Sequence, residues 1–240
     1  MRNFVATPRV TGLRVANMAQ RRVRILDAAR RMLVAGGIEG LNLRALATSA
    51  GVTVPTIYNL VGNKEDLIAS LFTQTLVEVE ARMAAHVGTE PLELAEAVVT
   101  ESTGLYAEDE DYYRTAFIAI EHLNQSSERH HAVADVYQWG ERLTTAGCLA
   151  CQQAGLLRGD IAPSQLGQLI LRSYRVNCRA WAFRQMTLTE FRDHALADVY
   201  ITLAADAVAS FRTTLIEHIR KLTSPGPSRP QTTARQHERR

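Results

Sequence analysis

Residues 41–72, LNLRALATSAGVTVPTIYNLVGNKEDLIASLF, gather side chains suited to reading base pairs at the start of a short helix. Thr53, Val54, Pro55, Thr56 and Asn59 supply hydroxyls, apolar surface that fits thymine methyl groups, and one amide that can pair with adenine. Arg44, one residue into the preceding helix, is the candidate for guanine, whose O6 and N7 a guanidinium engages together. Lys64 stands at a helix start, where the macrodipole opposes a cation. A docked phosphate reverses that penalty by meeting both the ammonium and the free N–H groups. The chemistry these residues point to is recognition of duplex DNA.

The elements that position them follow from local rules. Leu43, Leu46, Ala47 and Ala50 recur at helical spacing, Gly51 interrupts, and Val52, Ile57 and Val61 resume an apolar face. Glycine suits a turn that needs positive φ, Thr53 is placed to cap the second helix, and Pro55 falls in its first turn, where no N–H is needed. Asn63 caps a third helix through Leu67, Ile68, Leu71 and Phe72. Upstream, RRVRILDAARRMLVAGG reads as a supporting helix, with Ile25, Leu26, Ala29, Met32 and Leu33 on one face and a stop at Gly36-Gly37.

The run RILDAA, then Ala47 with Ala50-Gly51-Val52, then Pro55-Thr56-Ile57-Tyr58 and Asn63-Lys64-Glu65-Asp66-Leu67, resembles the DNA-binding domain of TetR-type transcriptional regulators. The resemblance covers roughly residues 20–72 and is ungapped through the motif. It implies that Tyr58 and Lys64 hold phosphates beside the recognition helix. Two positions depart from the family: Leu60 stands where members often carry His or Tyr, and Val61 replaces a common aromatic core residue. Fewer phosphate contacts from this helix are expected as a result, with more reliance on the N-terminal arm.

Net charge is only +2, but it is unevenly spread. Residues 1–64 carry ten Lys and Arg against two acids; residues 65–222 carry thirteen against twenty-two; residues 223–240 carry four against one. A basic head on an acidic body directs DNA to one end of the molecule. Residues 1–17, with spaced arginines, Pro8 and Gly12, read as a flexible basic arm that either enters a minor groove or simply solubilises. Residues 223–240, rich in Pro, Ser, Thr and Arg, read as a disordered tail.

The organisation expected is therefore all-α: a three-helix helix-turn-helix DNA-binding domain over 18–66 and a helical ligand-binding and dimerisation domain over 67–222. Helices are expected at about 63–86, 91–107, 110–124, 127–155, 163–186 and 188–221. Ala195, Leu196, Val199, Leu203, Ala207 and Phe211 form an apolar stripe that fits either a four-helix dimer interface or an intramolecular core. The resemblance implies a homodimer on a pseudo-palindromic operator and a pocket for a small-molecule effector. Aromatic and polar candidates for that pocket are Tyr106, Tyr113, Phe117, His122, Tyr137, Trp139, Tyr174 and Trp181.

Cys148 and Cys151 share a helix face, with Cys178 elsewhere and His130-His131 upstream, so a redox-responsive regulator is one alternative. Apolar flanks and the lack of a second ligand pair favour buried thiols instead, and no metal or cofactor is expected. A DNA-bound protein-interaction factor without a small ligand is the other alternative. No phosphate loop, nucleophile elbow or His-Glu-x-x-His motif occurs, so an enzyme is not expected. The N-terminus lacks a signal-type apolar region and no run approaches a membrane span, which points to a cytoplasmic protein with no membrane partner.

Overall fold

The computed structural model describes the backbone of residues 9–125 and 131–223, with side chains over 15–124 and 134–222. Helix α1 runs Arg9–Gly40 and breaks at Gly37 (φ 60°), so the double glycine interrupts the helix as its composition predicts. The start differs from expectation: residues 9–17, read as flexible arm, are helical and continue into the head. Residues 1–8 of the arm and 224–240 of the tail lie outside the described residues.

Helices α2 (Leu43–Ala50) and α3 (Val54–Leu60) pack on α1, and α4 (Lys64–Met83) leads out of the head, ending in a short 3-10 turn. Ile25, Leu26, Ala29, Leu33, Leu46, Ala47, Ile57, Leu67 and Ile68 are buried together at the centre of this unit. The body comprises α5 (Pro91–Glu108), α6 (Glu110–Gln125), α7 (His131–Gln153), α8 (Pro163–Ala182), α9 (Leu188–Ala204) and α10 (Ala209–Thr223). Prolines open α5 and α8, and Thr187 with Glu190 forms a reciprocal capping box at α9. Among the described residues the β-type pairing is a single isolated bridge, Leu157 with Ala207.

Small residues set the helix spacing in the body. A Cβ on Gly147 of α7 would sit 2.8 Å from Ala95 N of α5, and one on Gly167 of α8 would sit 2.8 Å from Thr145 Cα of α7. These glycines let backbones approach closely, and Thr144 Oγ1 donates to Gly167 O at 2.8 Å across the second crossing.

The expected helix over 188–221 is two helices. The chain turns at 205–208, where buried Asp206 accepts from Gly159 N (3.0 Å) and Asp160 N (3.1 Å), while Arg158 N donates to Asp206 O and Val208 N to Leu156 O. The α7–α8 connection thus stitches the break. The stripe Ala195, Leu196, Val199, Leu203, Ala207 and Phe211 is buried within the single chain, so of the two readings open for it the intramolecular core is the one observed. The exposed apolar residues of this region are others: Leu169, Val176 and Phe183 on or just after α8, at steps of seven, and Ile201 on α9.

Candidate nucleic-acid interface and body cavity

Asn42 caps α2 by accepting from Arg44 N (2.9 Å) and Ala45 N (3.2 Å), which fixes Arg44 in an exposed first turn. Gly51, left-handed at φ 64° and ψ 41°, ends α2 and turns the chain. Thr53 then caps α3: its Oγ1 accepts from Thr56 N at 3.3 Å and lies 2.8 Å from Thr56 Oγ1. Buried Ile57 holds one side of α3 in the head core. The opposite side presents Thr53, Pro55, Tyr58 and Asn59 in the open, with Val54 and Thr56 half-buried beside them. Two of these threonine hydroxyls are engaged with each other in the free protein.

Asn63 and Asp66 form a capping box at the start of α4, Asp66 N to Asn63 Oδ1 at 2.8 Å and Asn63 N to Asp66 Oδ2 at 3.1 Å. Lys64 is the first residue of that helix, half-buried, next along the chain from the α3 face that carries Tyr58, itself 54% exposed. Leu60, which departs from the family pattern, packs against the head core, while its carbonyl accepts from Arg22 Nη1 at 2.6 Å. Arg22 also donates to Ser70 Oγ at 3.2 Å, so it ties α1 to both α3 and α4. In the sequence Arg22 is one of the ten cations of residues 1–64, and nothing local singles it out because its partners lie 38 and 48 positions away.

The body encloses an apolar cavity with about 60 Å³ of free space. Phe72, Leu76 and Val79 of α4 form one wall, Val98, Ser102 and Tyr106 of α5 another, and α6 adds Phe117. Tyr137, Gly140 and Leu143 of α7 and Leu171, Tyr174 and Arg175 of α8 complete it. Of the aromatic candidates, Phe117, Tyr137 and Tyr174 line this space, as does Tyr106. Trp181 does not: it is fully buried, stacked on Tyr106 at 5.1 Å and beside Phe191 at 5.8 Å. Tyr113 packs behind Tyr106 at 5.0 Å, His122 is exposed, and Trp139 faces a separate groove with Asp66, Thr73 and Asp135. Helical periodicity does not say which gap an aromatic residue borders, and it did not separate His122, which is exposed, from the covered candidates. The aliphatic wall carried no sequence signal distinguishing it from ordinary core.

Two polar clusters touch the cavity. Tyr174 Oη lies 2.8 Å from Ser102 Oγ and 3.0 Å from Tyr106 Oη, and Ser102 donates to Val98 O at 2.6 Å. Burial pushes the hydroxyls of Tyr106 and Tyr174 well above the usual tyrosine range, so both stay protonated. In the second cluster, Arg175 donates through Nε (3.2 Å) and Nη2 (2.7 Å) to Glu121 Oε1, which also accepts from Tyr137 Oη at 2.7 Å. The Arg175 guanidinium carbon lies 3.9 Å from the centre of the Tyr137 ring.

Cys148, Cys151 and Cys178 are fully buried. Burial, with Cys151 as a lesser cause, pushes the Cys148 thiol up to about 12, and burial with Glu96 pushes Cys151 up to about 11. Thiols held so far from ionising are poor nucleophiles, which removes the physical basis for the redox alternative. His130 and the side chain of His131 lie outside the described residues.

Residues 25–71, the whole of the capped and turned unit just described, match the family of bacterial regulatory proteins known as tetR. Over these residues the head is similar to that family. The chain is also 32% identical, over 84 residues, to the HTH-type transcriptional repressor KstR of Rhodococcus jostii (strain RHA1); the match spans 35% of this chain and 40% of that relative. The tetR-type head continues into a body whose fold is likewise shared. SmeT, the repressor of the Stenotrophomonas maltophilia multidrug efflux pump SmeDEF, superposes with a TM-score of 0.63 at 16% identity, covering 79% of this chain and 92% of that one. Thermus thermophilus FadR, a TetR-family repressor in complex with lauroyl-CoA, gives 0.63 at 19%, covering 78% and 95%. Bacillus subtilis FadR, in complex with stearoyl-CoA, gives 0.62 at 17%, covering 75% and 97%. At these identities the likeness is one of fold.

Proposed function

We propose that this chain is a DNA-binding transcriptional repressor that acts as a homodimer and is released from its operator by a small molecule taken into the body cavity. The observation that carries the reading is the span of α4. Its first residue, Lys64, follows α3, which carries Tyr58, and its later turns place Phe72, Leu76 and Val79 in the cavity wall.

 At a rise of 1.5 Å per residue, about 12–22 Å of continuous helix separates the two. The free space is small, so an occupant displaces side chains of α4, and a rigid helix carries that displacement to the DNA-holding end.

Three further features support the reading. The relative KstR is named a repressor, and two neighbours of the same fold hold lauroyl-CoA and stearoyl-CoA. The base-reading set is Arg44, Thr53, Val54, Pro55, Thr56 and Asn59, with Tyr58 and Lys64 on phosphates; these stand on one unit with caps that fix their direction. Leu169, Val176 and Phe183, at steps of seven, and Ile201 of α9 are exposed apolar residues, and pairing the α8 face with a second copy would set two recognition helices on successive major grooves, about 34–36 Å apart. No helix among the described residues is long and apolar enough to cross a membrane, and the proposed place of action is the cytoplasm, where the operator is.

The test is fluorescence anisotropy on DNA flanking the protein's own gene, over a range of salt, with wild type, Lys64→Ala and Tyr58→Phe. Sequence-selective binding that weakens with salt and in both variants is expected. Equal, weak binding to every duplex, unchanged by either substitution, would overturn the reading.

A further inference from the structure

The hydroxyl cluster in the cavity has a proton direction. Ser102 donates to Val98 O, so the 2.8 Å contact between Ser102 and Tyr174 requires the Tyr174 proton. Tyr174 then has no proton left for Tyr106, and the 3.0 Å contact between them requires the Tyr106 proton. All three protons are committed along one chain that ends on a backbone carbonyl. What remains unused is acceptor capacity on the three oxygens, in a wall that is otherwise almost entirely hydrocarbon.

The charge of the cavity is also settled internally. Arg175 is the one charged side chain in its wall among the described residues, and two of its nitrogens already meet Glu121, whose side chain is 12% exposed. An entering carboxylate would share a single guanidinium with Glu121, leaving two buried anions on one cation. An uncharged molecule meets no such penalty. We propose that the cavity takes an uncharged, largely hydrocarbon ligand bearing a proton-donating hydroxyl, an alcohol or a phenol, rather than an acid or an acyl thioester. This rests on the reading of the body as an effector domain.

The experiment is calorimetric titration of the full chain with three probes of one shape: 4-octylphenol, 4-octylanisole and 4-octylbenzoate. Each is also added to the protein–DNA complex. In the wild type the phenol is expected to bind at least tenfold tighter than either of the others, and to release DNA at the lowest concentration. Tyr174→Phe removes one acceptor and frees the Tyr106 proton to donate to an ether oxygen, so the gap between phenol and anisole should shrink to threefold or less. The wild-type ranking alone decides if that variant fails to fold. Equal binding of phenol and anisole, or tightest binding of the benzoate, overturns the ligand class and leaves the effector domain standing. Failure of all three probes to bind or to release DNA overturns the class and the effector reading together, while DNA binding itself remains separately measured.

Discussion

Arg30 of α1 lies over the Tyr112 ring of α6, its guanidinium carbon 3.9 Å from the ring centre, while its Nη2 meets Asp109 Oδ2 at 2.9 Å. A side chain of the head is thereby fastened to α6, the helix that carries Phe117 of the cavity wall. Tyr112 touches Tyr113, which touches Tyr106 in the cavity wall, each with ring centres 5.0 Å apart. The head therefore has a second attachment to the cavity besides α4.

Replacing Arg30 separates the two parts of this contact. The ion pair is 42% exposed on each side, so Asp109→Asn should cost about 0.5 kcal/mol, while Arg30→Ala also loses packing on a buried ring and should cost about 1–2 kcal/mol. Urea denaturation reads both. Equal losses in the two variants would mean that the ring contact contributes nothing.

Gly62 has φ 110°, and a Cβ there would lie 2.7 Å from the Cβ of Asp66. Gly62→Ala should therefore disrupt the capping box that presents Lys64 and cost about 2–3 kcal/mol, with DNA affinity falling in step. Gly51→Ala is the control: its φ of 64° is unfavourable but the nearest atom is 3.8 Å away, so about 1 kcal/mol is expected. Thermal unfolding and DNA titration of both variants check the order, and a milder effect at Gly62 would contradict the geometry.

How much of this was legible in the sequence depended on the range of the interaction. Gly51, Thr53 and Asn63 act on groups within a few residues, so turn and caps could be read directly and the structure has them where they were read. The break after α9 could not be read. The segment Leu203-Ala204-Ala205-Asp206-Ala207-Val208 contains no Gly or Pro, and it turns because Asp206 is met by Gly159 and Asp160, nearly fifty positions away. The cavity was half legible: its aromatic residues stood out, whereas Val98, Leu143 and Leu171 look like any core aliphatics until the helices are placed.

Asp206 gives the next prediction. Asp206→Ala removes the acceptor of the Gly159 and Asp160 N–H groups, which stand on the exposed α7–α8 connection, and frees the α9–α10 turn, for an expected loss of about 1–2 kcal/mol. Asp206→Asn keeps one acceptor oxygen and should lose less. Hydrogen exchange at Gly159 and Asp160 should quicken in the alanine variant first; unchanged protection there would show that the carboxylate does not hold the turn.

The buried thiols predict a pH dependence. Their folded values, about 12 for Cys148 and about 11 for Cys151, lie above the ordinary 9.0. The folded state thus keeps protons that the unfolded chain gives up, so this contribution to stability is complete below pH 9 and is lost as pH rises through about 11–12. Denaturation midpoints from pH 8 to pH 11 should fall, and less steeply in a Cys148→Ala/Cys151→Ala variant. A thiol reagent at pH 8 should react only as fast as the protein opens. Rapid modification of the native protein would instead restore the redox alternative.

The exposed line on α8 separates dimerisation from DNA chemistry. Val176 is 69% exposed, and Phe183, 52% exposed, has the Arg179 guanidinium carbon 5.8 Å from its ring centre, a partner that a glutamate there can still pair with, so Val176→Arg and Phe183→Glu should change the unfolding midpoint little. If this face joins two copies, each charge is buried against an apolar partner and the dimer dissociates. Sedimentation should then give a monomer, and operator affinity should fall by orders of magnitude although every DNA-contacting residue is intact, because a single head engages only one half-site. A variant that stays dimeric and binds DNA normally would place the dimer interface on another surface.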